Sequence, residues 1–74
     1  MSDKQLNMMK HAWGFDSKSP GFRTHYCESV TNEDMIQLVA DGYFVGPSHV
    51  GTVGEGHGMY YLTEKGIECL KSLL

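Results

Sequence analysis

The chain has 74 residues, nine acidic against six basic side chains, a net charge of −3 and 41% hydrophobic residues. A chain of this length buries roughly 60% of its unfolded surface in one thin core, leaving little surplus to hold strained catalytic geometry, so one domain over residues 1–74 is expected and an enzyme is disfavoured. Two cysteines, Cys27 and Cys69, are too few for a disulfide scaffold, and scattered cations with a single arginine lack the footprint of a general nucleic-acid binder.

The opening MSDKQLNMMK has no apolar signal-peptide core, and no apolar run reaches the roughly 20 residues that span a bilayer. A soluble cytoplasmic protein with no membrane contact is expected. Ser2 and Gln5, bracketed by Met1 and Leu6, predict a capping box and staple at the first helix. Leu6, Met9 and Trp13 then share one face before Gly14 offers a left-handed stop. Phe22 to Cys27, FRTHYC, alternates Phe22, Thr24 and Tyr26 against Arg23, His25 and Cys27 and reads as a strand. The alternative is a short helix capped by Ser19 with Pro20 at its first position.

Thr31 and Asp34, bracketed by Val30 and Met35, repeat the capping chemistry for a second helix that carries Met35, Leu38 and Val39 inward and stops at Gly42. Tyr43 to Val45 and Met59 to Leu62 read as the arms of a hairpin. The connection GPSHVGTVGEGHG is long for a hairpin and is expected to be mobile at its tip. Thr63 caps a third helix whose stripe is Ile67, Leu70 and Leu74, while Gly66 stands where a glutamate would close the box.

The expected fold is therefore α+β, a small winged-helix-like domain in the order α-β-α-β-β-α, with three helices against a small antiparallel sheet. If FRTHYC is a strand, Glu28 to Gly42 has room for one helix only, and a helix-turn-helix reader of the major groove needs two.

Candidate binding residues fall in two groups. In the wing, His49, Val50, Val53, Glu55 and His57 offer an apolar tip with polar flanks, which favours ordering on a protein partner. The wing glycines lack the lysine and the following helix of a phosphate loop. Elsewhere, Glu33 and Gln37 begin the would-be reading helix, where carboxylates repel phosphate and more simply favour the positive end of the helix dipole. Arg23 and His25 complete the set: the guanidinium suits an aromatic ring, a carboxylate, an acidic partner or a phosphate. The four histidines lack the paired spacing of a zinc site, and His25 with Cys27 on alternate strand positions makes a poor nucleophile pair. No metal, cofactor or catalytic residue is expected.

The phrases KHAWGF, PGFRTHYC, LVADGYFVG and GHGMYYLTEKGIECL, in order from Lys10 to Leu70, resemble a group of small phage and prophage proteins of unassigned function. In that group a HALGL-like helix end precedes a PYRNHF-like segment, an LVxxGLM-like helix end, a glycine turn and an FxVTxxG-like junction. Here Trp13 and Phe15 replace two leucines, Gly21 is inserted after Pro20, and His57 and Gly58 replace part of a GGD-like turn. The YLTEKG junction alone is shared by many winged-helix proteins. The resemblance implies a mobile-element origin and a cytoplasmic accessory role in a bacterial host, with no catalytic residues to carry over. Two functions follow as expectations: a non-enzymatic protein-interaction module acting on a host or defence component, or a small DNA-binding regulator, with homodimers compatible with either.

Overall fold

Ser2 Oγ accepts from the Gln5 amide and Gln5 Oε1 accepts from the Ser2 amide, each at 3.1 Å, so a reciprocal capping box opens helix α1, Asp3–Trp13. The computed structural model describes residues 1–21 and 23–74. Beyond α1 the elements are β1 (His25–Ser29), α2 (Glu33–Ala40), β2 (Phe44–Ser48), β3 (His57–Leu62) and α3 (Glu64–Lys71). The three strands form one antiparallel sheet in the order β1-β3-β2. Among the described residues no helix is long and apolar enough to cross a membrane.

The sheet has an inner and an outer face because side chains alternate along each strand. Phe44, Tyr60 and Leu62 turn inward and are buried with Met8, Met9, Ala12 and Trp13 of α1, Met35 and Leu38 of α2, and Leu70 of α3. Of the stripes expected of the helices, Met9, Trp13, Met35, Leu38 and Leu70 are buried, Leu6, Val39 and Ile67 pack against this core half-buried, and Met8 and Ala12 are added. Leu74 departs from its stripe at 73% exposure, because α3 ends at Lys71.

Both glycine stops close their helices. Gly14 (φ 70°) lets the Phe15 amide return to Lys10 O at 3.0 Å, and Gly42 (φ 84°) lets the Tyr43 amide return to Leu38 O at 2.9 Å. The α2 start differs from expectation. Asn32, not Thr31, is the cap: its Oδ1 accepts from the Met35 amide at 2.9 Å, while Thr31 Oγ1 lies 2.9 Å from Ser29 Oγ. Asp34 does not reach back to the cap but turns to α1, 3.5 Å from Lys4 Nζ and accepting from Gln5 Nε2 at 3.3 Å.

The FRTHYC strand is displaced along the chain. Phe22 lies outside the described residues, Arg23 and Thr24 precede β1, and the strand runs on through Glu28 and Ser29. Among the described residues no helix opens at Pro20; the Ser19 amide donates to Ser17 Oγ at 3.2 Å and the Gly21 amide to Trp13 O at 2.8 Å, a turn against the end of α1. One helix only, α2, separates β1 from β2. The first hairpin arm begins at Phe44 rather than Tyr43, and both arms run further toward the turn, so the connection shortens to residues 49–56. A register shift between Val45 and Ser48 sets Gly46 and Pro47 against Tyr60.

Gly66 has a packing reason. A Cβ there would sit 2.5 Å from the Tyr43 carbonyl oxygen and 3.1 Å from Leu62 Cδ2, so α3 meets the start of β2 through a bare backbone. Alanine normally gains about 1 kcal/mol over glycine inside a helix. Overpacking costs about 1–3 kcal/mol. Gly66→Ala is therefore expected to lower the urea midpoint; a raised midpoint would contradict the close approach. In the same assay Asn32→Ala is expected to cost about 1 kcal/mol as a lost cap, and Thr31→Ala clearly less; the reverse order would restore Thr31 as the cap.

Candidate partner-binding groove

The last turn of α1 carries Lys10 and His11, and helix ends leave carbonyls without intrahelical partners. Arg23 supplies one: its Nε and Nη2 both donate to His11 O, at 3.1 and 2.7 Å. The guanidinium thus forks onto a main-chain oxygen. Next to it the His11 and Tyr26 rings meet edge to face at 5.5 Å between centroids, tying α1 to β1. Lys10 Nζ lies 4.9 Å from the centre of the Phe15 ring.

Two open depressions result, of about 390 and 290 Å³, and both are lined by His11 and Arg23. The first extends past Lys10, Phe15 and Asp16; the second extends along His25, Tyr26 and Cys27. Together they make one groove from the end of α1 onto the edge of β1. Lys10 and Arg23 face a single lining carboxylate, Asp16, in a chain whose net charge is −3.

Of the residues anticipated from sequence, Arg23 and His25 come together here. The groove adds Lys10, His11 and Tyr26, whose sequence signal is a Lys-His pair in the last turn before a glycine stop and an aromatic residue on the facing strand. Glu33 and Gln37 lie elsewhere, exposed on α2, with Gln37 Nε2 donating to Asp41 Oδ1 at 3.0 Å. The residues anticipated for the wing lie in and beside the β2–β3 connection, at the far end of β1, where the Val30 amide donates to Gly56 O at 2.9 Å. Val50 and Val53 are 55% and 41% exposed, His49 Nδ1 lies 3.1 Å from Ser48 Oγ, and His57 Nδ1 lies 3.0 Å from Glu55 O. A smaller depression of about 120 Å³ lies between Ile36, Val39, Pro47 and Tyr60. Among the described residues, no three His, Cys, Asp or Glu side chains gather at metal-binding distance. Cys27 is an exposed free thiol.

Compared with protein-family models, curated proteins and solved structures, the chain finds no match.

Burial raises the phenol pKa of Tyr26 and of Tyr60 above the ordinary value of 10.0, and the Glu28 carboxylate raises both further. The folded state therefore favours the protonated phenols. That stabilisation is complete below the ordinary tyrosine pKa and is lost as pH climbs through the raised folded values. Stability is expected to fall above about pH 10. In an ultraviolet titration, Glu28→Gln should lower both transitions while leaving them above the ordinary value, since burial is the larger cause; unmoved transitions would show that the Glu28 carboxylate does not act on either phenol.

Proposed function

We propose that this chain is a small, non-catalytic, winged-helix-like interaction module that binds a protein partner. In keeping with its resemblance to phage and prophage proteins, it serves as an accessory factor in a bacterial cytoplasm, acting on a host or defence component. The observation that carries the binding role is the groove between α1 and β1: a concave, cation-bearing surface on an acidic chain. Protein partners are recognised by such local complementarity, which sets specificity and encounter rate. Duplex DNA instead requires broad phosphate neutralisation. With two formal cations in the groove, and an α2 start that is acidic at Glu33 and Asp34, local complementarity to a protein is favoured.

The test is a pull-down from host lysate with the wild-type chain and with Lys10→Glu/Arg23→Glu, each with and without nuclease, after far-UV spectra establish that the variant is folded. Nuclease-resistant capture of a protein, lost in the double variant, is the expected result. Capture abolished by nuclease, or retention on bulk DNA that falls as salt rises, would transfer the role to nucleic acid.

A further inference from the structure

The two edges of the sheet are built differently. Along β2 the register shifts between Val45 and Ser48, and Pro47 has no N–H to offer, so that edge is poorly suited to accept another strand. Along β1, five consecutive residues hold unbroken register against β3, from His25↔Tyr61 to Ser29↔His57, with neither bulge nor proline.

The parity of that ladder decides which groups are exposed. The Leu62 amide donates to Thr24 O at 2.8 Å and the Val30 amide donates to Gly56 O at 2.9 Å, so both ends of the β1–β3 pairing are hydrogen-bonded positions. Bonded positions alternate in an antiparallel pair, so Tyr26 and Glu28 direct their main chain to β3 while His25, Cys27 and Ser29 direct theirs outward. Ser29 is satisfied locally: its amide donates to Glu28 Oε1 at 2.9 Å and its carbonyl accepts from the Asn32 amide at 3.1 Å. His25 and Cys27 are both exposed, and among the described residues their outward amides and carbonyls meet no protein partner. They border the groove that holds Arg23 and His11.

Resting on the interaction-module reading, we propose that β1 receives an extended acidic segment of the partner protein as a fourth strand. Main-chain bonds to His25 and Cys27 give register, as in other cases of strand addition. Charge gives selection. Arg23 lies two residues before His25, Lys10 lines the adjoining part of the groove, and Asp16 is the single opposing carboxylate among the lining residues. Glu28, at the other end of β1, is engaged by the Ser29 amide. Acidic side chains of the incoming strand therefore belong at the Arg23 end, and a residue turned to the inner face meets the Tyr26 and His11 rings.

The test uses the full chain, isotope-labelled, and three peptides of about six residues, enough to span β1: alternating glutamate and valine, the same with lysine for glutamate, and the acidic peptide N-methylated at alternate residues. The acidic peptide is expected to slow exchange of the His25 and Cys27 amides at least about tenfold. The N-methylated peptide should lose this effect without any change to the protein. The lysine peptide should bind more weakly, and Arg23→Ala should weaken the acidic peptide by about fivefold at low salt.

Equal affinity for the acidic and basic peptides, no slowing at millimolar peptide, or equal protection by a DNA oligonucleotide would overturn the proposal. So would protection that grows with protein concentration and no peptide, which would make a second copy the occupant. The two readings fail separately. A captured protein partner that is unaffected by Cys27→Pro, which removes an outward amide and leaves the Tyr26 and Glu28 bonds to β3, sinks the edge proposal alone. Nuclease-sensitive capture sinks the module reading beneath it.

Discussion

The pairing of β1 with β3, Tyr26 against Tyr60, is the constraint on which the rest depends. It sends Tyr26 to the helix-bearing face, where it meets His11, and Tyr60 into the core beneath it. It also fixes which main-chain groups of β1 bond inward and which point out. A slip by one residue would exchange the two faces of β1, setting Cys27 and His25 against the helices and Tyr26 in solvent. The ladder is held at both ends by main-chain bonds just outside β1, at Thr24 and Val30, which resist such a slip.

The helix ends extend the same logic toward the β2 edge of the sheet. The carbonyls that close α2 are taken by the beginning of α3: Thr63 Oγ1 donates to Gly42 O at 2.5 Å and Lys65 Nζ donates to Asp41 O at 2.6 Å, 4.6 Å from the centre of the Tyr43 ring. Gly66 permits that approach. At α1 the corresponding carbonyl is taken by Arg23 from across the turn. Each long-range cap therefore sets the position of a neighbouring element as well as ending a helix. At α1 this also gathers cations beside β1, whereas Glu33, Asp34 and Asp41 sit on or next to α2 and Glu55 in the β2–β3 connection.

Sequence made much of this architecture legible, because caps, stops and apolar stripes are local. Ser2 with Gln5, Gly14, Gly42 and Thr63 act as their chemistry predicts. Where two neighbouring residues offered similar chemistry, locality failed: Asn32 displaced Thr31, whose hydroxyl turns to Ser29. The limits of β1 were hidden for a different reason. The alternation of FRTHYC continues into Glu28 and Ser29 only through pairing with Gly58 and His57, about 30 residues away. The groove was only half legible. Arg23 stands out as the single arginine and His25 by its place in FRTHYC, but their joining with Lys10 and His11 depends on a side chain folding back twelve positions onto a main-chain oxygen, which no local pattern encodes.

The open edge follows from the parity of β1, and amide exchange in the free chain reads that parity directly. Tyr26 and Glu28 amides, bonded to β3, should exchange slowly, and those of His25 and Cys27 should exchange near the rate of an unprotected chain. That alternation, residue by residue, is the predicted result. Uniform protection from His25 to Glu28, or protection of His25 and Cys27 in place of Tyr26 and Glu28, would contradict both the register and the open edge derived from it.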